Sequence, residues 1–259
     1  KGREVEKLRE YMPGDSYEDV HWKATAKRGK PVTKVYQVER TQEVYVVIDT
    51  SRLSARPVSL EVDEEAINDD SHTQLGRFIT AAMIMGAVAQ QQGDLFGVMA
   101  FDEKVRAFVR AGHGRRHYSA CRDAIFSLEA SRGNPDFGEA FTFLRMHLRR
   151  RALVFFLTSM DDPVLAEQFL DQVGIVSRRH LVMVNMLPTV GVGPLFEGEA
   201  PETEAAVYER LAGHMMWHEL REMERRLHQK GVTMALVDHE HLCPKMVSQY
   251  MRVRQRQLL

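Results

Sequence analysis

The chain has 259 residues, 44% of them hydrophobic, with 35 basic against 36 acidic side chains and a formal net charge of -1. This is enough apolar material for one large α/β domain or two small ones, and the balanced charge excludes a global field drawing the chain to nucleic acid or anionic lipid, leaving only local patches. Two distant cysteines, Cys121 and Cys243, exclude a disulfide framework and fit a reducing compartment, and no run of about 18 apolar residues makes a membrane span.

Residues 1–30 are charged and carry a turn signal at Pro13-Gly14-Asp15. They contain no apolar stretch of the kind a signal peptide needs, and the start at Lys1 reads as a mature form or an excised fragment. On its own this segment carries too little apolar surface for a core. Alternation from Pro31 to Glu39 predicts a moderately exposed strand. Val44–Ile48 is an apolar, largely β-branched run, which predicts a strand buried on both faces and ending on Asp49. A carboxylate followed by Thr50 and Ser51 at the carboxyl end of such a strand lies where open α/β sheets place ligands, or else caps the following turn.

The acidic stretch around 61–70 reads as a solvated loop. Leu75–Val88 has a wide apolar face at helical spacing, and Gly93-Asp94 ends that helix. Strands follow at Leu95–Phe101 and Val105–Val109, then helices at about 115–130 and 137–150. Ala152–Leu157, ALVFFL, is a third buried strand, ending on Thr158-Ser159-Met160-Asp161-Asp162. A helix at about 163–173, a strand at Leu181–Leu187, a Gly/Pro-rich loop, a helix at about 203–230, a strand at Val232–Val237 and a helix at about 243–257 complete the chain. The alternation predicts a doubly wound, mostly parallel sheet flanked by helices, with Val105–Val109 as an antiparallel edge. In such a sheet the first core strand and ALVFFL meet at the switch point, where Asp49 and Ser51 would face Ser159 and Asp161.

Three upstream segments, Leu8-Arg9-Glu10-Tyr11-Met12-Pro13-Gly14-Asp15, Val20-His21-Trp22-Lys23-Ala24-Thr25-Ala26-Lys27 and Val38-Glu39-Arg40, resemble the LREY-x-PGD … W-K-A-x-A-R … E-R signature of the bacterial DUF58 family. That signature precedes a von Willebrand factor A-like, Rossmann-like domain, and the resemblance extends to Tyr250. It implies a family-specific segment over 1–42 packing on an A-like domain over 43–259. It also implies a non-enzymatic, cytoplasmic interaction domain, whose parent is membrane-anchored in many family members and whose partner is a MoxR-type AAA+ ATPase acting in assembly or maturation of a complex.

The resemblance further implies a metal-ion-dependent adhesion site that would hold Mg²⁺ through Asp49 and Ser51. Its other positions depart from the pattern. Leu53 stands where an oxygen ligand belongs, with Ser54 one residue late; Pro135 replaces a Thr in the loop leading to Asp136; and Thr158-Ser159 replaces Ser-Asp. Asp161 or Asp162 could substitute only if its loop bends back. Two changes precede the Trp, where Glu18 and His21 replace Arg and Asp. The expectation is a degenerate crevice of Asp49, Ser51, Ser54, Asp136, Ser159 and Asp161, without cofactor. Two rival readings stand beside it, a metal-dependent hydrolase or phosphotransferase using Asp49 and a purely structural domain of a membrane-anchored assembly.

Other constellations have plain readings. His214 and His218 four apart, and His239, His241 and Cys243 near the last strand, have the residue types of a Zn²⁺ site but equally suit an amphipathic helix and a turn. Arg115-Arg116-His117 and Arg149-Arg150-Arg151 read as solvated helix ends. No GxxxxGK[ST], GxGxxG or GxSxG occurs.

Overall fold

The structure is a computed structural model and describes residues 5–36, 41–58, 73–160, 162–195 and 203–256. The chain divides into two compact units, Lys1–Thr41 and Gln42–Leu259.

In the first unit β1 (Val5–Glu10) pairs antiparallel with β2 (Val32–Tyr36), and α1 (Trp22–Arg28) lies between them in sequence. Its charged composition hid the β1 strand and this helix, because polar hydrogen bonding replaces apolar periodicity as the organising force. The Arg9 guanidinium donates to Asp15 Oδ1 at 2.6 Å, and Asp15 Oδ2 accepts the Met12 amide at 2.9 Å, which closes the turn at Gly14 (φ +107°). The Met12 amide and Arg9 hold the Asp15 carboxyl below its ordinary value, against the opposing pull of desolvation. His21 caps α1 by accepting the Ala24 amide on Nδ1 at 3.1 Å. An Asp would fill this role with a carboxylate oxygen.

The second unit is a six-stranded sheet in the order β5-β4-β3-β6-β7-β8. Its strands are β3 (Glu43–Asp49), β4 (Leu95–Phe101), β5 (Val105–Gly112), β6 (Ala152–Leu157), β7 (Leu181–Met186) and β8 (Thr233–Leu236). All neighbours are parallel except β4 and β5, so the expected antiparallel edge is present, three residues longer than the alternation predicts. The helices are α2 (Gln74–Gln91), α3 (Arg115–Phe126), α4 (Phe137–His147), α5 (Pro163–Gln172), α6 (Gly174–Ser177), α7 (Glu204–Gln229) and α8 (Leu242–Gln255).

The period-2 pleat distributes β3 between two cores. Tyr45 and Val47 pack with Phe137, Phe141, Phe156 and Phe169 beneath α4–α7, whereas Val44, Val46 and Ile48 pack with Phe78, Met85 and Tyr250 beneath α2, α3 and α8. Covering on both faces is why β3 and β6 read as continuous apolar runs. Thr73 caps α2 through the Gly76 amide, and Gly93 ends it at φ +76°. The chain moves from β3 outward to β4 on one side and returns to β6 on the other, which places the switch point between β3 and β6.

Candidate functional site at the carboxyl end of the sheet

Asp49 ends β3 with no exposed surface. Its Oδ1 accepts the Ser51 amide at 2.8 Å, and its Oδ2 accepts the Thr158 hydroxyl from the end of β6 at 2.6 Å. Burial pushes its carboxyl above the ordinary value; the Thr158 and Ser51 bonds oppose this shift, and the nearby charge of Asp102 adds to it. Ser51 and Ser54 are buried in the same turn, where the Ser54 amide and hydroxyl both donate to the Ser51 carbonyl, at 3.0 and 2.8 Å. Leu53 points into the apolar core under α4.

Thr50 joins the neighbouring strand: its amide and hydroxyl donate to the Phe101 carbonyl at 2.8 and 3.0 Å, and its own carbonyl accepts the Ser131 amide at 2.7 Å. Asp102, which follows β4, is held by Arg106 at 2.6 Å and accepts the Lys104 amide at 3.0 Å. Desolvation raises its carboxyl, but these partners outweigh it and the net shift is downward. The two nearby carboxylates are therefore driven in opposite directions, Asp102 held ionised by its guanidinium and Asp49 inclined towards its neutral form.

The rim is polar and tied across the switch point. The Arg52 amide donates to the Gly133 carbonyl at 2.9 Å, its Nε donates to Asn134 Oδ1 at 2.6 Å, and its guanidinium lies 3.9 Å from Asp162. Asp136 is exposed and caps α4 through the Glu139 amide at 3.0 Å; Asp162 caps α5 through the Val164 amide at 2.9 Å. Ser159 is buried, but it is Thr158, named in the sequence only as the neighbour of Ser159 and not among the crevice candidates, that reaches Asp49. A hydroxyl at the end of the strand neighbouring β3 was the signal that could have found it. Asp161 and the 61–70 acidic stretch lie outside the described residues. Beyond Met160 the rim runs into a cleft of about 170 Å³ between α5 and α7, lined by Leu170, Leu220 and Met223.

A hard divalent cation needs several anionic or carbonyl oxygens converging on one point. Here the crevice carboxylate has both oxygens bonded to protein donors, Asp102 is held by Arg106, and Asp136 and Asp162 cap helices. Among the described residues, which do not include Asp161, this donor set does not fit Mg²⁺. Among the described residues no group of three or more His, Cys, Asp and Glu side chains is placed to hold a metal ion. His214 stacks on Trp217 with ring centroids 5.7 Å apart, and Arg221 lies over the same indole.

Comparison with solved structures gives the PilB minor pilin from Streptococcus sanguinis, at TM-score 0.53 and 11% identity, covering 88% of this chain and 66% of that one. It also gives the SpRpn10 VWA domain (TM-score 0.43, 9% identity, 81% and 95% coverage). A third likeness is BatB from Bacteroides thetaiotaomicron (TM-score 0.47, 13% identity, 83% and 99% coverage). The last two are likenesses only; strand order and direction carry the assignment of a von Willebrand factor A-like fold. Curated proteins yield no match. No helix among the described residues is long and apolar enough to cross a membrane. The family model described as "Protein of unknown function DUF58" matches residues 7–204, and the chain belongs to that family.

Proposed function

We propose that this chain is a non-enzymatic protein-interaction domain whose rim loops, over a metal-free crevice, engage a partner. The observation supporting this is the state of Asp49. A general base, nucleophile or metal ligand must reach its substrate or ion, whereas this carboxylate is wholly buried with both oxygens bonded to Ser51 and Thr158. Its work is to fasten the end of β3 to the end of β6 and so fix the rim. Recognition then falls to exposed groups around it, Arg52, Asn134 and Asp136, and to the cleft beginning at Met160. A hydrolase or phosphotransferase reading has no support in that geometry.

The partner in this reading is a MoxR-type AAA+ ATPase, met on the cytoplasmic side, with the parent protein anchored to a membrane and the pair acting in assembly or maturation of a complex. Affinity capture of the genomically adjacent ATPase with the full chain, in its ATP-bound, ADP-bound and nucleotide-free states, tests this. Capture in at least one state, lost in Arg52→Glu, is expected. Failure in every state contradicts the partner assignment, and phosphoester turnover abolished by Asp49→Asn contradicts the non-enzymatic reading.

A further inference from the structure

The opposite, amino-terminal edge of the sheet carries a charge pattern that the net charge of -1 conceals. Arg149, Arg150 and Arg151 lead into β6, and Arg178 and Arg179 lead into β7. These strands are parallel neighbours with Leu153 opposite Leu181, so the two turns lie side by side. All five side chains are exposed.

The plain explanation of such a cluster is that cations complement helix C-termini. It accounts for part of the charge only. Arg110 Nη2 donates to the His147 carbonyl at 3.4 Å and Arg179 Nη2 donates to the Arg149 carbonyl, so two guanidiniums serve the end of α4. Arg149, Arg150, Arg151 and Arg178 make no side-chain hydrogen bond or ion pair among the described residues. At this edge the strand register brings Glu43 opposite Ala152, Asp94 is engaged by Arg254, and Asp171 stands on the last turn of α5, against the five arginines. Buried His180, at the entrance to β7, registers the resulting field: desolvation first, then Arg179 and Arg151, lower it to about 4.

Two large apolar side chains stand exposed in the same region, Met146 on α4 (66%) and Ile175 on α6 (38%), on helices that pack together. We propose that this edge docks on the surface of an anionic lipid bilayer, the arginines meeting lipid phosphates while Met146 and Ile175 enter the headgroup layer. Unpaired cations interspersed with exposed aliphatic side chains are the composition of an interfacial binding surface. Nucleic acid is the less favoured occupant. Phe143 and His147 are already stacked on each other at 3.8 Å with Phe108 beside the pair, so one face of each ring is already used and they offer no open aromatic platform of the kind successive bases stack on.

The test is cosedimentation of the full chain with phosphatidylcholine vesicles and with vesicles containing about 30 mol% phosphatidylglycerol, at about 0.1 M and 1 M salt. Binding to the anionic vesicles alone, lost at high salt, is expected. Arg150→Glu/Arg178→Glu should weaken it at least about tenfold, and Met146→Ser/Ile175→Ser about threefold, with unchanged circular dichroism. Arg122→Glu/Arg221→Glu, the same charge change elsewhere, should stay within about twofold. Absence of binding to anionic vesicles, an equal loss in the control variant, or displacement from vesicles by duplex RNA would overturn the proposal.

Discussion

The Thr158 hydroxyl donates to Asp49 Oδ2 at 2.6 Å across the switch point between β3 and β6. This bond converts a position where open sheets ordinarily expose ligand-binding groups into an internal tie.

Removing the tie should cost stability. Asp49→Ala strands two buried donors, the Ser51 amide and the Thr158 hydroxyl, and should lower unfolding free energy by about 2–4 kcal/mol. Asp49→Asn keeps an acceptor for the Ser51 amide, and its NH₂ can donate to the Thr158 oxygen, so it should cost less. Urea denaturation of both variants, with Thr158→Val to complete a double-mutant cycle, measures this. Additive effects of Asp49 and Thr158 would show that the two are uncoupled.

A second tie lies at the amino end. Asp94 accepts the Gln42 amide at 3.0 Å, the Tyr250 hydroxyl at 2.5 Å and the Arg254 guanidinium at 3.2 Å, pinning α8 to the start of β4. Tyr250→Phe deletes a buried bond to a carboxylate and should cost about 1.5–3 kcal/mol, read as a lower urea midpoint.

His180 should make the protein acid-sensitive. Burial lowers its imidazole from 6.5 to about 4 in the folded state. Because the unfolded chain binds the proton more readily, stability from this residue is fully present above pH 6.5 and is lost as pH falls toward 4. The expected loss between pH 7 and pH 5 is about 2 kcal/mol. His180→Gln should flatten that dependence in urea titrations at the two pH values; an unchanged slope would assign acid sensitivity to other groups.

Gly97 should tolerate no side chain. A Cβ there would lie 2.6 Å from the Tyr45 ring, 2.7 Å from the Val109 carbonyl oxygen and 2.8 Å from the Ala111 amide nitrogen, and two of those contacts are backbone. Tyr45 is further fixed because its hydroxyl accepts the Ala111 amide at 3.1 Å. Gly97→Ala should therefore destabilise by about 1–3 kcal/mol or more and shift thermal unfolding downward.

Legibility in the sequence followed the apolar pattern. β3, β4 and β6 are bounded closely by their runs because both faces are buried, and Gly93 marks the end of α2 through its left-handed backbone. β1 and α1 were hidden since a polar network, Arg9 with Asp15 and His21 as cap, holds that unit rather than an apolar stripe. At the site, Asp49 was visible as a carboxylate ending a buried strand. Its fate was not, because that depends on which residue of β6 faces it, a register property that places Thr158 there and leaves Ser159 beside it. Asp102 read as an ordinary turn residue for the same reason: its tie to Arg106 comes from the β4–β5 pairing and its charge near Asp49 from the β3–β4 pairing.

The central claim, a hydrogen-bonded crevice in place of an ion site, is most directly tested by calorimetric titration of the full chain with Mg²⁺ and Mn²⁺. The account predicts no saturable heat at or below about 1 mM. Binding near about 0.1 mM or tighter, abolished by Asp49→Ala, would contradict it.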